Sequence, residues 1–82
     1  MTILYVGSSP EAYIQCAKEN NVKIITAVNG LEALNILNKN NDIKVIISTY
    51  NLPGINGVFL YDQINEDPTL SRIPFILVSE EF

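Results

Sequence analysis

Short polar groups follow three apolar runs in this chain, and any side-chain chemistry would gather there. Thr49 ends Lys44-Val45-Ile46-Ile47-Ser48 and leads into Tyr50-Asn51-Leu52-Pro53-Gly54-Ile55-Asn56-Gly57. Gly7 and Ser8 follow Ile3-Leu4-Tyr5-Val6, and Ser79 follows Pro74-Phe75-Ile76-Leu77-Val78. Hydroxyls are neutral near pH 7 and are weak nucleophiles unless a base activates them. The chain has no histidine and a single cysteine, Cys16. A His-based triad, a thiolate metal site and an internal disulfide are therefore excluded. Gly7-Ser8-Ser9 lacks the Gly-Lys-Ser/Thr ending of a P-loop. Around Gly7, Ser8, Thr49 and Ser79 the sequence offers no base, no activated nucleophile and no metal cage. The expectation is no enzyme, no metal and no cofactor.

Composition narrows the classes further. Eighty-two residues, 48% of them hydrophobic and 17% charged, read as one globular domain. The net charge of −4 and five scattered basic residues argue against a nucleic-acid surface. No apolar run approaches the roughly 20 residues of a membrane span, and Met1-Thr2-Ile3-Leu4-Tyr5 lacks the basic start of a signal peptide. A cytoplasmic location is expected.

The elements that must position the polar groups alternate in type. Ile3 to Val6 lacks polar alternation and reads as a strand buried on both faces. Ser8-Ser9-Pro10-Glu11 has capping-box spacing, with Ser8 as N-cap of a helix from about Pro10 to Asn20. Ala12, Tyr13, Cys16 and Ala17 are its expected inward residues. The same Ser-Ser-Pro turn also suits an anion at a helix N-terminus. Val22 to Ala27 is a second strand. Leu31 to Asn38 is helical, with Leu31, Leu34 and Leu37 at three-residue spacing. Ile43 to Ser48, dense in β-branched residues, is a third strand, and Pro53-Gly54 marks a turn. A helix over Gly57 to Asn65, with Phe59, Leu60 and Ile64 inward, precedes a fourth strand at Pro74 to Ser79. Strands alternating with helices imply βαβ units, a parallel sheet and right-handed crossovers.

The ordered pieces resemble the receiver domain of two-component response regulators. Thr26-Ala27-Val28-Asn29-Gly30-Leu31-Glu32-Ala33-Leu34 looks like that family's strand-to-helix passage. Leu52-Pro53-Gly54 with Gly57 fits its loop after the phosphoacceptor. Asp67-Pro68 with Ile73-Pro74-Phe75-Ile76-Leu77-Val78-Ser79 fits its fourth strand. The resemblance spans the whole chain. It implies a flavodoxin-like three-layer α/β fold, truncated to four strands in the order 2-1-3-4 with three helices over residues 1–82.

The same resemblance puts the phosphoacceptor-equivalent position on Thr49, counting back four residues from Pro53. It puts the acid-pocket-equivalent positions, which in receivers hold Mg²⁺, on Gly7 and Ser8. The switch-hydroxyl-equivalent position falls on Ser79, which otherwise simply ends a strand. A threonine cannot become an acyl phosphate, and three carboxylates are missing from one pocket. Ser48 and Thr49 are open either to modification by a Ser/Thr kinase or to a purely structural role. Tyr50 and Tyr61 are open either to recognition or to packing.

The family's fourth helix, fifth strand and fifth helix have no counterpart in these 82 residues. In the third strand Ile43, Val45 and Ile47 should oppose Lys44, Ile46 and Ser48; in the fourth, Phe75 and Leu77 should oppose Ile76 and Val78. Both sheet faces are then apolar, one of them uncovered, with the fourth strand an open edge. The functional expectation is a phosphorylation-independent, receiver-like interaction module of bacterial signalling. It would meet a protein partner or its own copy through that face and edge, with no nucleic acid or membrane involved. The alternatives are an adaptor domain keeping only the fold, or a small-ligand binder at the carboxyl ends of the strands.

Overall fold

Hydrophobic periodicity changes along the chain from strand-like to helical and back, and the backbone follows it. In the computed structural model, which describes residues 1–79, the order is β1 (Thr2–Val6), α1 (Glu11–Glu19), β2 (Lys23–Ala27), α2 (Gly30–Lys39), β3 (Ile43–Thr49), α3 (Gly57–Asn65), a 3-10 turn (Leu70–Arg72) and β4 (Phe75–Val78). The four strands form one sheet in the order β2-β1-β3-β4, and every pairing is parallel.

Helix starts are set by short polar side chains. Asn29 caps α2 by accepting from the Glu32 amide at 2.8 Å, while the Glu32 carboxylate reaches back to the Val28 amide at 3.3 Å. Asn56 caps α3 through the Phe59 amide at 2.9 Å. Helix α1 departs from the expected capping box. Pro10 stands at its N-cap without a side-chain cap bond, and Ser8 is exposed. Ser9 turns through φ 57°, which carries Ser8 away from the first helical turn.

One face of the sheet holds the main core. Leu4, Val6, Ala27, Ala33, Ile46 and Leu60 have no exposed surface, and Leu37, Ile43 and Ile64 pack with them under α2 and α3. Strict alternation predicts Ile43 on the opposite face with Val45 and Ile47. A bulge corrects this. The β1–β3 register runs Thr2↔Ile43 and then Ile3↔Val45, leaving Lys44 out of the ladder. The extra residue breaks the two-residue alternation, so Ile43 joins the face of Ile46 while Lys44 stays exposed.

The other face carries α1 alone. Tyr13, Cys16 and Ala17 of α1 form a groove with Ile3, Val22, Ile24 and Ile47 of the sheet side. Only Ala17 of the four expected inward residues is buried; Ala12 and Cys16 are exposed, because no neighbouring helix flanks α1 on that face among the described residues. Ile76 of β4 is half-exposed. On the outer side of α2 and α3, Leu31 and Phe59 are likewise exposed rather than inward. The 3.6-residue period puts Leu37, Leu60 and Ile64 toward the sheet, sets Leu34 half-buried between the core and the outer surface, and leaves those two at the margin.

Candidate functional site

The carboxyl ends of β1, β3 and β4 bring three of the four singled-out positions to one rim. Gly7 follows the last residue of β1, Thr49 is the last of β3, and Ser79 follows the last of β4. Thr49 pairs in register with Val78, and the Tyr50 amide donates to the Val78 carbonyl at 3.0 Å. Ser79 therefore leaves the sheet beside the Tyr50 turn, where it is exposed.

Gly7 and Thr49 fill one another's space. Gly7 is buried and donates its amide to the Ala27 carbonyl at 2.8 Å. Its φ of 149° suits glycine. A Cβ placed there would lie 2.7 Å from Thr49 Oγ1 and 2.8 Å from Thr49 Cγ2. Thr49 is 2% exposed, and its hydroxyl is oriented to the Asn51 carbonyl at 3.4 Å. Ser48 is fully buried and donates to the Thr49 carbonyl at 3.0 Å. A kinase needs a reachable hydroxyl, and neither of these two is reachable in the folded chain.

Ser8 goes elsewhere. It is exposed, and its carbonyl accepts the Tyr5 hydroxyl at 2.7 Å. Tyr5 is 1% exposed and packs its ring on Tyr13 of α1, centroids 4.5 Å apart. Tyr5 thus ties the Gly7-Ser8 loop to α1, a role hidden in an otherwise aliphatic strand run. The signal for it was the phenol itself, since a buried tyrosine hydroxyl usually finds a polar partner.

Gly57 completes the rim from below. Its amide donates to the Tyr50 carbonyl at 2.7 Å, and an added Cβ would sit 2.6 Å from the Thr49 carbonyl and 2.5 Å from Leu77 Cδ1. The absence of a side chain lets α3 start directly under the end of β3. Gly54, at φ 84°, makes the preceding turn. Gly30 similarly admits Ile55 against the start of α2.

The donor set does not suit Mg²⁺. That ion wants near-octahedral oxygen coordination, usually anchored by carboxylates. Gly7 has no side-chain oxygen, Thr49 is turned to Asn51, and Ser8 brings one neutral hydroxyl. Among the described residues no group of three or more His, Cys, Asp or Glu side chains is placed to hold a metal. Tyr50 and Tyr61 are both partly exposed, and Tyr61 packs edge-on against Phe75 at 5.3 Å.

No protein-family model matches the chain. Individual relatives do. A chemotaxis protein CheY homolog of Campylobacter jejuni is 34% identical over 58 residues, which is 71% of this chain and 45% of that protein. The match thus spans about half the length of the curated relative. The response regulator receiver protein of Pseudomonas putida superimposes with a TM-score of 0.90 at 21% identity, over 99% of this chain and 69% of that one. The chemotaxis response regulator CheY4 of Vibrio cholerae gives 0.87 at 23% identity, over 98% and 68%. At these identities the superpositions speak for the fold, and the curated relatives speak for descent. The homologues of this chain are CheY proteins and response-regulator receiver domains, and its fold is the receiver fold.

Proposed function

We propose that the chain is a phosphorylation-independent receiver-like module that works by binding protein. One observation supports this reading most strongly: Thr49 is buried against Gly7, in the place where the resemblance would put a phosphoacceptor beside an acid pocket. The two residues are matched in shape, so the pocket is closed by packing as well as short of carboxylates. An acidic side chain at Gly7 would meet Thr49 before it met a metal. In this reading the chain has no catalytic residue and takes no cofactor.

The partner surface in this reading is the sheet face beside α1 together with the outer edge of β4. Ile76 is 50% exposed there, with Val45, Ile47 and Val78 partly covered. Beyond β3, β4 has no strand neighbour among the described residues, and its outer edge presents backbone groups another chain can satisfy. No helix among the described residues is long and apolar enough to cross a membrane. A protein-binding role in the cytoplasm of a bacterium fits the acidic surface and the chemotaxis relatives.

The test is direct. Intact-mass measurement after incubation with acetyl phosphate and Mg²⁺ is expected to show the unmodified mass alone. A base-labile phosphoryl adduct on the folded chain would overturn the reading.

A further inference from the structure

The outer surface of α2 and α3 carries an apolar groove that none of the roles above uses. Leu31 and Leu34 of α2 face Ile55, Phe59 and Gln63 across a cleft of about 450 Å³. Leu31 is 70% exposed and Phe59 is 49% exposed. A single exposed leucine is ordinary, but two large apolar side chains on the facing walls of one cleft form a patch.

No charged side chain lines the cleft itself, and the charges nearest its walls in sequence, Glu32 and Asp62, are acidic. The sequence has no lysine or arginine between Lys23 and Lys39, and none between Lys44 and Arg72. Both walls of the groove fall inside those two stretches. Helix α3 and its C-cap carry Asp62 and Glu66. Glu66 lies seven residues beyond Phe59 and three beyond Gln63, so helical spacing sets all three on one stripe. At the start of α2, the Glu32 carboxylate holds the Val28 amide.

We propose that the α2–α3 groove docks a basic amphipathic helix from a partner protein. An apolar helix face with side chains at i, i+3, i+4 and i+7 fits a cleft between two helices. Lysines or arginines beside that face would meet Asp62 and Glu66. Acidic residues repel an anionic membrane and nucleic acid, and a second copy of this chain would bring the same acids to the contact. The proposal rests on the reading of the chain as a protein-binding module and assigns it a second surface.

The experiment uses the whole chain and two synthetic helical peptides of about 18 residues, a length near five turns. Both have leucines on one face; one has lysines on the other face and its twin has glutamates. The lysine peptide is expected to bind and to shift the amide resonances of Leu31, Leu34, Gly54, Phe59 and Gln63. Leu31→Ser with Phe59→Ser should weaken it by about tenfold or more, as loss of interface anchors does. Both positions are exposed, so the core survives the change. Ile76→Ser should leave binding intact, and Asp62→Asn with Glu66→Gln should weaken it and flatten its salt dependence. Equal binding of the two peptides, or no binding of either, would overturn the groove. Shifts centred on β4 and lost in Ile76→Ser would also overturn it, while leaving the protein-binding reading in place. Phosphate uptake from acetyl phosphate would overturn that reading whatever the peptides do.

Discussion

The two faces of one sheet are finished to different degrees. Under α2 and α3, Leu4, Val6, Ala27 and Ile46 have no exposed surface, while on the α1 side Ile76 keeps half of its own. The strands are equally apolar on both sides, so strand composition does not explain the contrast. It comes from the number of helices available. Two helices roof one face, α2 over β1 and β2 and α3 toward β4, where Leu77 at the sheet edge still keeps 43% of its surface, and a single nine-residue helix roofs β1 and β2 on the other. Alternate residues of a strand point to opposite faces, so a central β-branched run fills whichever side is roofed and waits on the side that is not.

A matched pair of substitutions should show the largest contrast. Ile46→Ala on the roofed face removes a fully buried side chain and is expected to cost about 2–5 kcal/mol. Ile76→Ala on the open face removes the same atoms from a half-exposed site and should cost well under half as much. Urea denaturation of the two variants with unchanged m-values measures both. Equal losses would mean that the open face is already covered by a partner copy.

Gly57→Ala should come next, at about 1–3 kcal/mol, because its new methyl group meets the Thr49 carbonyl as well as the flexible end of Leu77. Leu77 can turn aside, but backbone cannot. Thermal melting of this variant against Gly54→Ala separates close approach from conformational freedom. Gly54 has nothing within 4 Å of an added Cβ, and its cost should reflect its φ of 84° alone.

A third experiment tests the rim of the open face, where Gly7 and Thr49 continue the parity of Tyr5 and Ile47. Gly7→Ala should destabilise by about 1–3 kcal/mol through strain at positive φ and the clash with Thr49. Thr49→Ala removes both clashing atoms, so the double variant should recover part of that loss. A coupling of about 0.5–3 kcal/mol is the range for residues in direct contact. Strict additivity would show that the two do not share space and that packing does not close the pocket.

How much of this was legible in the sequence depended on whether the deciding term was local. The three helices and the βαβ alternation follow from periodicity and from turn residues such as Asn29-Gly30 and Pro53-Gly54, whereas the strand order is implied only by the resemblance to receiver domains. The fates of Ser8 and Ile43 did not follow. Ser8 sits in a good capping-box spacing, but a left-handed Ser9 redirects the chain, and a single positive φ leaves no pattern in composition. Strict alternation puts Ile43 on the face opposite Ile46, but an unpaired Lys44 interrupts it. Leu31 and Phe59 satisfy a helical stripe in sequence yet lie at its margin, since the sheet below accepts a narrower band than the pattern offers. At the rim, the chemistry of Thr49 could be read from its type. Its fit against Gly7 could not, because the two are brought together only by β1–β3 pairing.

The smallest effect on folding should carry the most information about association. Ile76→Lys places a charge on a half-exposed strand position, where a change in the isolated fold of about 0.5 kcal/mol or less is expected for a surface site. Charged residues on edge strands oppose sheet-edge pairing. If the open face and the β4 edge are where copies or partners meet, this variant should weaken self-association while leaving the melting transition almost where it was. Sedimentation equilibrium over a wide concentration range reads the first quantity, and circular dichroism reads the second. Wild-type chain is expected to associate with rising concentration and the variant to remain smaller. Apolar surface left wet forfeits about 25 cal/mol for each Å² that burial would have removed from water, so even a modest contact across this face has a driving force. A wild-type chain that stays monomeric and melts cooperatively, without binding a dye for exposed apolar surface, would show that one helix suffices for this face. The comparison between the two faces would then reduce to a difference in exposure without a consequence for assembly.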